Sequence, residues 1–120
     1  MSLREKGNIK MKLYLDDVRP VPEGWVGAKT MLEATQILKE SFADITHLSF
    51  DHDLGDDDRN GTGYDVACFL EGMVYATKTI TTLPVMTVHS ANPVGGARIV
   101  QAITSMMKIV NERNELKCLT

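Results

Sequence analysis

The stretch LSFDHDLG, residues 48–55, joins a short apolar run to a group of charged and titratable side chains. The apolar part, read as THLSF, has the composition of a buried strand. Ending a core strand in Asp51, His52 and Asp53 brings no packing benefit, because burying unpaired charge is costly. The stretch therefore predicts a strand that delivers charged groups to one end of a sheet.

The same arrangement occurs twice more in the sequence. KLYLDD, residues 12–17, ends in the acid pair Asp16 and Asp17, and LPVMTVH, residues 83–89, ends in His89. In open α/β sheets, ligands bind outside the carboxyl ends of the strands, where the loops of neighbouring strands meet. We therefore expect the three sets of polar residues to converge on one site.

Helical patterns between these strands indicate the fold class. The other predicted elements are a strand at 25–29, a helix that begins at Thr30, a helix at 63–78 and a helix that begins at Asn92. This alternation predicts an α/β fold with a mostly parallel sheet.

Only seven residues separate Asp17 from Trp25, too few for the usual crossover helix. The second strand should run antiparallel or be reached through an extended loop. The tail at 116–120 should form a fifth strand or a helix end.

Length and composition predict a single domain at residues 11–120. Residues 1–10 are polar and aperiodic, as expected of a leader or cloning-derived segment. No apolar stretch reaches the roughly 18 residues of a membrane span, so we expect no membrane association and a cytoplasmic location. Cys68 and Cys118 lack metal-site and CxxC spacing, and both are expected to be reduced.

The charge distribution narrows the possible partners. A net charge of -3 argues against nonspecific nucleic-acid binding, because clustered Lys and Arg supply most of that affinity. Eight of the nine Asp residues lie at 16–17 and 51–65, an asymmetry typical of a site. These observations leave open a nucleic-acid end or a phosphate-containing small molecule held in a small site.

The acids predict a metal site. Asp16, Asp17 and Asp51, with Asp53 nearby, would repel one another at one edge of a sheet unless a positive group lay between them. A hard divalent cation with oxygen ligands, Mg²⁺ or Mn²⁺, meets this need. The alternative is that these acids only solvate strand ends and cap helices.

The segment after the fourth strand predicts a phosphate site. His89 and Ser90 precede a helix with Asn92 as its N-cap, and two glycines and Arg98 follow in its first turns. A helix N-terminus offers free N–H groups to an anion, and an arginine can pair with it. The alternative is an ordinary N-cap with two tolerated glycines.

The remaining candidates are single side chains. Arg19 is placed to contact a phosphate or to brace Asp17, or it is a solvated surface residue. Strand alternation directs His52 away from Asp51 and Asp53, so we expect it to brace the loop, and His89 is the better acid/base candidate. Trp25 and Tyr64 can stack a base, although one aromatic near a site more often serves packing.

The sequence resembles the receiver domains of two-component signalling, and more closely a divergent offshoot, the cyclic-phosphate processing receiver-like family. The matching segments are LYLDDVRPVPEGW, LSFDHDLGDD, TGYDVACFLE and VHSANPVG, which span most of residues 13–96. The resemblance implies a flavodoxin-like three-layer αβα fold with the first helix shortened or missing. It also implies Mg²⁺ held by Asp16 and Asp17, a phosphate-accepting position at Asp51 and a hydroxyl position near Ser90. For the offshoot, it implies processing of cyclic phosphates at RNA ends, in RNA repair.

The preferred hypothesis is a metal-dependent phosphoesterase acting on 2′,3′-cyclic phosphates of RNA ends or nucleotides. Its catalytic residues are Asp51, Asp53 and His89, its metal ligands Asp16, Asp17 and Asp51, and its phosphate contacts Ser90, Asn92, Arg98 and Arg19. The alternative is a non-enzymatic receiver module that is phosphorylated on Asp51 and signals to a partner. A third possibility is a site that binds a cyclic phosphate without turnover.

Overall fold

Four short strands form one sheet in the computed structural model, which describes residues 10–55 and 57–119. In chain order the elements are β1 (Met11–Leu15), β2 (Val26–Ala28), α1 (Met31–Ser41), a 3-10 turn (Phe42–Asp44), β3 (Ile45–Phe50), α2 (Asp57–Asn60), α3 (Gly63–Ala76), β4 (Val85–Val88) and α4 (Pro93–Leu119). The strand order is β2-β1-β3-β4, and every pair is parallel. The receiver-like α/β fold class is thus confirmed. The predicted leader lies, apart from Lys10, outside the described residues.

The three long helices cover one face of the sheet. Helix α3 packs against both α1 and α4, which places all three in one layer. Leu13 pairs with Leu48 and Leu15 with Phe50 across β1 and β3, and all four are fully buried under this layer. The alternate positions of the strands point to the other side.

The opposite face of the sheet carries no helix from the described part of the chain. Its strand positions are Lys12, Tyr14, Gly27, His47, Ser49, Val85 and Thr87. The fold therefore differs in this respect from the expected three layers. The reason is that the connection between β1 and β2 contains no helix, and that the helices after β2, β3 and β4 all pack on the other face.

The connection from β1 to β2 is an extended loop, the second of the two predicted routes. The carboxylate of Asp16 accepts hydrogen bonds from the backbone N–H groups of Val18 and Arg19, both at 2.8 Å, and so turns the chain. A second turn closes where Trp25 N–H donates to the Pro22 carbonyl at 3.1 Å. Gly24 lies in this turn at φ 85°, a conformation that favours glycine. The loop thereby brings β2 parallel to β1.

The predicted helix starts are confirmed. The Thr30 hydroxyl accepts a hydrogen bond from Glu33 N–H at 3.1 Å at the start of α1. Helix α4 begins at Pro93, after Asn92, and continues to Leu119, so the tail is helical and forms no fifth strand. No helix among the described residues is both long and apolar enough to cross a membrane.

Arg113 ties α4 to the end of α3. Its guanidinium donates to the carbonyls of Val74, Tyr75, Thr77 and Ile80, at 2.8–3.1 Å. Carbonyls at a helix C-terminus lack partners within the helix. Arg113 therefore supplies hydrogen bonds to the end of α3 while it fixes the crossing of the two helices.

Candidate functional site

The three polar strand ends predicted to converge do meet at one edge of the sheet. Asp16, Asp51 and His89 each follow a strand directly, and each donates its backbone N–H to the neighbouring strand. Their N–H groups bond to the carbonyls of Ala28, Leu15 and Phe50 at 2.9–3.0 Å. Because the backbone ladder continues through these residues, their side chains start from fixed positions.

Asp16 is the buried centre of this edge. Its Oδ1 accepts from the backbone N–H groups of Val18 and Arg19, and its Oδ2 accepts from Arg19 Nη1 at 2.9 Å and from His89 Nε2 at 3.0 Å. Burial raises the pKa of Asp16, but the hydrogen bonds from Arg19, Val18 and His89 outweigh it and hold that pKa at about 2. Asp16 is therefore ionised at neutral pH, and both of its oxygens are in use.

Arg19 places a positive charge between two of the acids. Its Nη1 lies 2.9 Å from Asp16 Oδ2 and 3.7 Å from Asp51 Oδ2. The hydrogen bond to Asp16 raises the pKa of Arg19 above its ordinary value. The guanidinium thus offsets part of the repulsion between the acids, a role that the sequence predicts for a divalent cation. The Arg19 side chain is 42% exposed and therefore also reaches solvent.

The three predicted metal ligands are grouped closely enough to share one ion. Asp16, Asp17 and Asp51 each offer a carboxylate oxygen, and these atoms lie within 4.8 Å of one another. Among the described residues, Asp51 Oδ1 accepts one hydrogen bond, from its neighbour His52 N–H, and none is found to the Asp17 carboxylate. A hard divalent cation suits this oxygen donor set. Asp17 and Asp51 have the freer oxygens, whereas Asp16 would have to share one.

A shallow cavity of about 390 Å³ opens over these acids, lined by Asp17, Val18, Arg19, Asp51, Asp53, Gly55 and Ala91. A larger cavity of about 550 Å³ lies at the other end of the strands. Lys10 is the only charged residue among the described ones that line it, beside apolar and threonine side chains. The acidic cavity is the one with groups suited to phosphate chemistry.

His89 is held at both ring nitrogens. Nε2 faces Asp16 Oδ2 at 3.0 Å, and Nδ1 lies 2.6 Å from the Ser49 hydroxyl. An ionised carboxylate only accepts, so Nε2 carries a proton, and in the neutral ring Nδ1 accepts from Ser49. Thr87 Oγ1 in turn donates to Ser49 Oγ at 3.2 Å. The Asp16 carboxylate therefore fixes the tautomer in which the Nε2 proton faces the acids, and the hydroxyls of Ser49 and Thr87 continue the hydrogen-bond chain from Nδ1.

His52 lies beside the acids but braces the loop against α4. Its Nδ1 bonds to Asp53 Oδ1 at 2.8 Å, and this hydrogen bond lowers the pKa of Asp53. The imidazole ring fills the space beside Gly95, where a Cβ would lie 2.7 Å from Nδ1 and closer still to the ring carbons. Asp53 itself is exposed and lines the acidic cavity.

The start of α4 is already capped by the chain's own groups. Asn92 Oδ1 accepts from Gly95 N–H at 2.9 Å, and Ser90 Oγ accepts from Asn92 N–H at 3.0 Å. In this conformation Asn92 is therefore an ordinary helix N-cap, the alternative to a phosphate site that the sequence left open. Arg98 lies over the Tyr64 ring, 6.0 Å from its centroid. No contact joins Arg98 to the acids among the described residues, so the structure does not bring it to the site.

Sequence reasoning missed Ser49, Thr87 and Tyr14 as neighbours of the site. Tyr14 stacks on the His89 ring with centroids 4.3 Å apart and planes 3° apart, and the small Ser49 on the strand between them leaves room for this contact. The signal was present, because alternation and the register of β1, β3 and β4 place these residues on one face. The hydroxyl residues Ser49 and Thr87 belong to no recognisable sequence motif.

Comparison with known proteins identifies one matching family. Residues 11–105 match the family described as the cyclic-phosphate processing receiver domain. No curated protein and no solved structure gave a significant match. The matched range runs from β1 into α4 and includes every acid of the cavity as well as His89. The chain is therefore a receiver-like domain that belongs to the cyclic-phosphate processing receiver domain family.

Proposed function

We propose that this domain is a metal-dependent phosphoesterase that hydrolyses 2′,3′-cyclic phosphates. The observation that carries the proposal is the set of three carboxylates, Asp16, Asp17 and Asp51, whose oxygens lie within 4.8 Å. Membership of a cyclic-phosphate processing family supplies the chemical class of the ligand. A phosphate diester is anionic, so acids alone would repel it, and a divalent cation between them removes that obstacle.

The proposed cation is Mg²⁺ or Mn²⁺, held chiefly by Asp17 and Asp51 because their oxygens are the freer ones. Bound there, it would activate water and neutralise charge on the phosphate. Arg19 is assigned to the phosphate, since its guanidinium reaches the same cavity and donates in a geometry that suits phosphate oxygens. Ser90 and Asn92 are assigned to the phosphate side of α4, and Arg98, which lies over the Tyr64 ring, is not assigned to the phosphate.

The proposed proton transfers use Asp53 and His89. Asp53 is exposed at the cavity, and the hydrogen bond from His52, which lowers its pKa, keeps it ionised. Its exposed carboxylate is assigned the role of proton acceptor from the attacking water. As the imidazolium, His89 can deliver its Nε2 proton to the leaving ribose oxygen and is left as the neutral imidazole. For this transfer Nε2 must exchange Asp16 for the substrate, while Nδ1–H donates to the Ser49 hydroxyl. Water adds to phosphorus, one P–O bond breaks, and a phosphomonoester is released.

The test is hydrolysis of nucleoside 2′,3′-cyclic phosphates, followed by chromatography in the presence of Mg²⁺ or Mn²⁺ and again with chelator. We expect turnover that chelator abolishes and that Asp17→Asn and Asp51→Asn each reduce by about 100-fold or more. Glu112→Gln is the matched control, because Glu112 is an exposed acid on α4 outside the acidic cavity.

Other outcomes identify the other functions. Tight binding of a cyclic phosphate without turnover under any metal condition would indicate a binding module. A phosphoryl adduct seen by intact mass after treatment with a small phosphodonor, and lost in Asp51→Asn, would indicate a receiver that signals to a partner. Turnover that is unchanged in both asparagine variants would contradict the proposed site.

A further inference from the structure

The face of the sheet opposite the helices carries a row of aromatic rings that begins at the candidate site. Tyr14 stacks on His89, and Trp25 meets Tyr14 edge-on, with centroids 5.9 Å apart and planes at 78°. His47 follows, with its centroid 6.2 Å from that of Trp25. Because His89 also touches Asp16, the row is continuous with the acidic site.

This face differs in charge from the protein as a whole. Lys12 is exposed, and its Nζ lies 5.8 Å from the centroid of the Trp25 ring. Among the described strand residues that point to this face, none is acidic until Asp16 at its edge. The chain has a net charge of -3, so a basic and aromatic surface beside the acids is a local feature. A ligand with a flat ring and a negative phosphate matches it.

A helix of a partner protein is a poorer match. Packing a helix on a sheet requires a continuous apolar patch. Val85 is the only aliphatic side chain that the described strands turn to this face, and its neighbours are Lys12, His47 and Thr87. Apart from the rings of Tyr14 and Trp25, the strand side chains that a helix would have to bury here are mostly polar or charged, and burying them without partners is costly.

We propose that the aromatic face, defined as Lys12, Tyr14, Trp25 and His47, binds the nucleobase of a ligand whose cyclic phosphate lies at the acidic site. Exposed aromatic side chains on four-stranded sheets stack bases in proteins that bind single-stranded nucleic acids. The inference rests on the proposed function and names its substrate class. The ligand is a nucleoside 2′,3′-cyclic phosphate, either free or at the end of a single-stranded RNA, with its base over Trp25.

Trp25 supplies the readout, since it is the only tryptophan in the chain. Its fluorescence is recorded at a series of ligand concentrations immediately after the full chain, with Mg²⁺, is mixed in a stopped-flow instrument with adenosine 2′,3′-cyclic phosphate or with glycerol 1,2-cyclic phosphate, which has the ring phosphate but no base, so that binding is read before hydrolysis. We expect quenching by the adenosine ligand, and about 5- to 150-fold tighter binding than the glycerol ligand, because stacking contributes about 1–3 kcal/mol per base. A dinucleotide ending in a 2′,3′-cyclic phosphate separates an RNA end from a free nucleotide by binding tighter still.

Two variants test the residues. Because the Trp25 variants lack the only tryptophan, affinities of all variants are read from the displacement of a 2-aminopurine nucleoside 2′,3′-cyclic phosphate, whose own fluorescence reports binding. Trp25→Leu should reduce the ratio of the two affinities towards one, and Lys12→Met, which removes charge without removing a packed ring, should reduce it more weakly. Tyr75→Leu is the matched control, because Tyr75 is an aromatic residue that is 70% exposed on α3. If Trp25→Leu does not fold, Trp25→Phe should keep most of the ratio and the Lys12 variant should still lower it.

The outcomes separate this inference from the function on which it rests. Equal affinity for the two ligands, with no change in Trp25 fluorescence, overturns the inference that the aromatic face binds a base. It leaves the proposed phosphoesterase activity unaffected. Quenching by adenosine itself supports the face even if neither cyclic phosphate is hydrolysed. Quenching that follows protein concentration in the absence of ligand overturns the inference, because a second copy of the chain would then cover the face.

Discussion

Replacing Gly63 with alanine tests whether α3 rests directly on the backbone that carries the acidic site. Gly63 donates its N–H to the His52 carbonyl at 2.7 Å. A Cβ at residue 63 would overlap the carbonyl oxygen of Asp51 and lie 2.8 Å from its carbonyl carbon and 3.1 Å from Cα of His52. All three atoms belong to the backbone, so no side-chain rotation relieves the overlap. The helix must move away from the segment that positions Asp51.

The expected loss of stability follows from these contacts. Overpacking of this kind costs about 1–3 kcal/mol, and the lost hydrogen bond about 1 kcal/mol. Alanine recovers up to about 1 kcal/mol by restricting the unfolded chain. We expect the free energy of unfolding to fall by about 2 kcal/mol. With an m-value of about 1–3 kcal/mol per M, the urea midpoint then falls by about 1 M.

Gly72 in the same helix provides the control. It is exposed, and a Cβ there meets nothing within 4 Å, so Gly72→Ala should raise stability by about 0.4–1 kcal/mol. Urea unfolding followed by circular dichroism measures both variants. A Gly63→Ala midpoint equal to that of the wild type, or a loss in Gly72→Ala as large as in Gly63→Ala, would refute the reasoning.

Two further changes act on other parts of the fold. The pKa of Asp16 is about 2 in the folded chain, against the ordinary value of 3.8, so its contribution of about 2 kcal/mol is present above pH 4 and lost as the pH falls towards 2. The gap in unfolding free energy between the wild type and Asp16→Asn should therefore narrow from pH 5 to pH 2.5, and a constant gap would contradict the assignment. Arg113→Met removes four hydrogen bonds to carbonyls near the end of α3 and should cost about 2–3 kcal/mol in urea unfolding. Lys108→Met, at an exposed position on α4, should change stability by less than about 0.5 kcal/mol.

The convergence of Asp16, Asp51 and His89 was predictable because it depends only on strand direction and length. Parallel strands end at the same edge of a sheet, and each of these three polar residues follows the last apolar residue of its strand. The orientation of β2 was not predictable by the same rule. The loop that reaches it depends on hydrogen bonds from Val18 and Arg19 to Asp16, which the spacing alone does not reveal.

The sequence also contains a weaker signal that helices cover only one face of the sheet. Parallel strands covered on both faces read as nearly continuous apolar runs, whereas KLYL in β1 and THLSF in β3 alternate. Lys12, Tyr14, His47 and Ser49 occupy the positions that a second helical layer would have required to be apolar. The family resemblance predicts the topology of the sheet but does not determine which of its faces is covered.

The start of α4 shows the limit of a local signal. The sequence here predicts a capped helix from Asn92 and Pro93, and the two glycines that follow would also allow an anion to approach. Spacing alone does not distinguish an ordinary cap from an anion site. The structure fills the space at Gly95 with the ring of His52, a residue from another loop. A contact between segments distant in the sequence therefore decides what a local pattern leaves open.

The length of α4 divides that helix into two parts of different stability. Its 27 residues extend about 40 Å, roughly twice the length of the strands it covers. Its buried side chains run from Ile99 to Val110, and beyond Val110 the described side chains are exposed apart from Arg113. A short isolated helix is only marginally stable in water. Asn114 Nδ2 donates to the Thr81 carbonyl at 3.1 Å, next to the anchor at Arg113. The residues beyond Asn114 can therefore open and close while the sheet and the acidic site stay folded, and this fraying stops at Arg113 and Asn114.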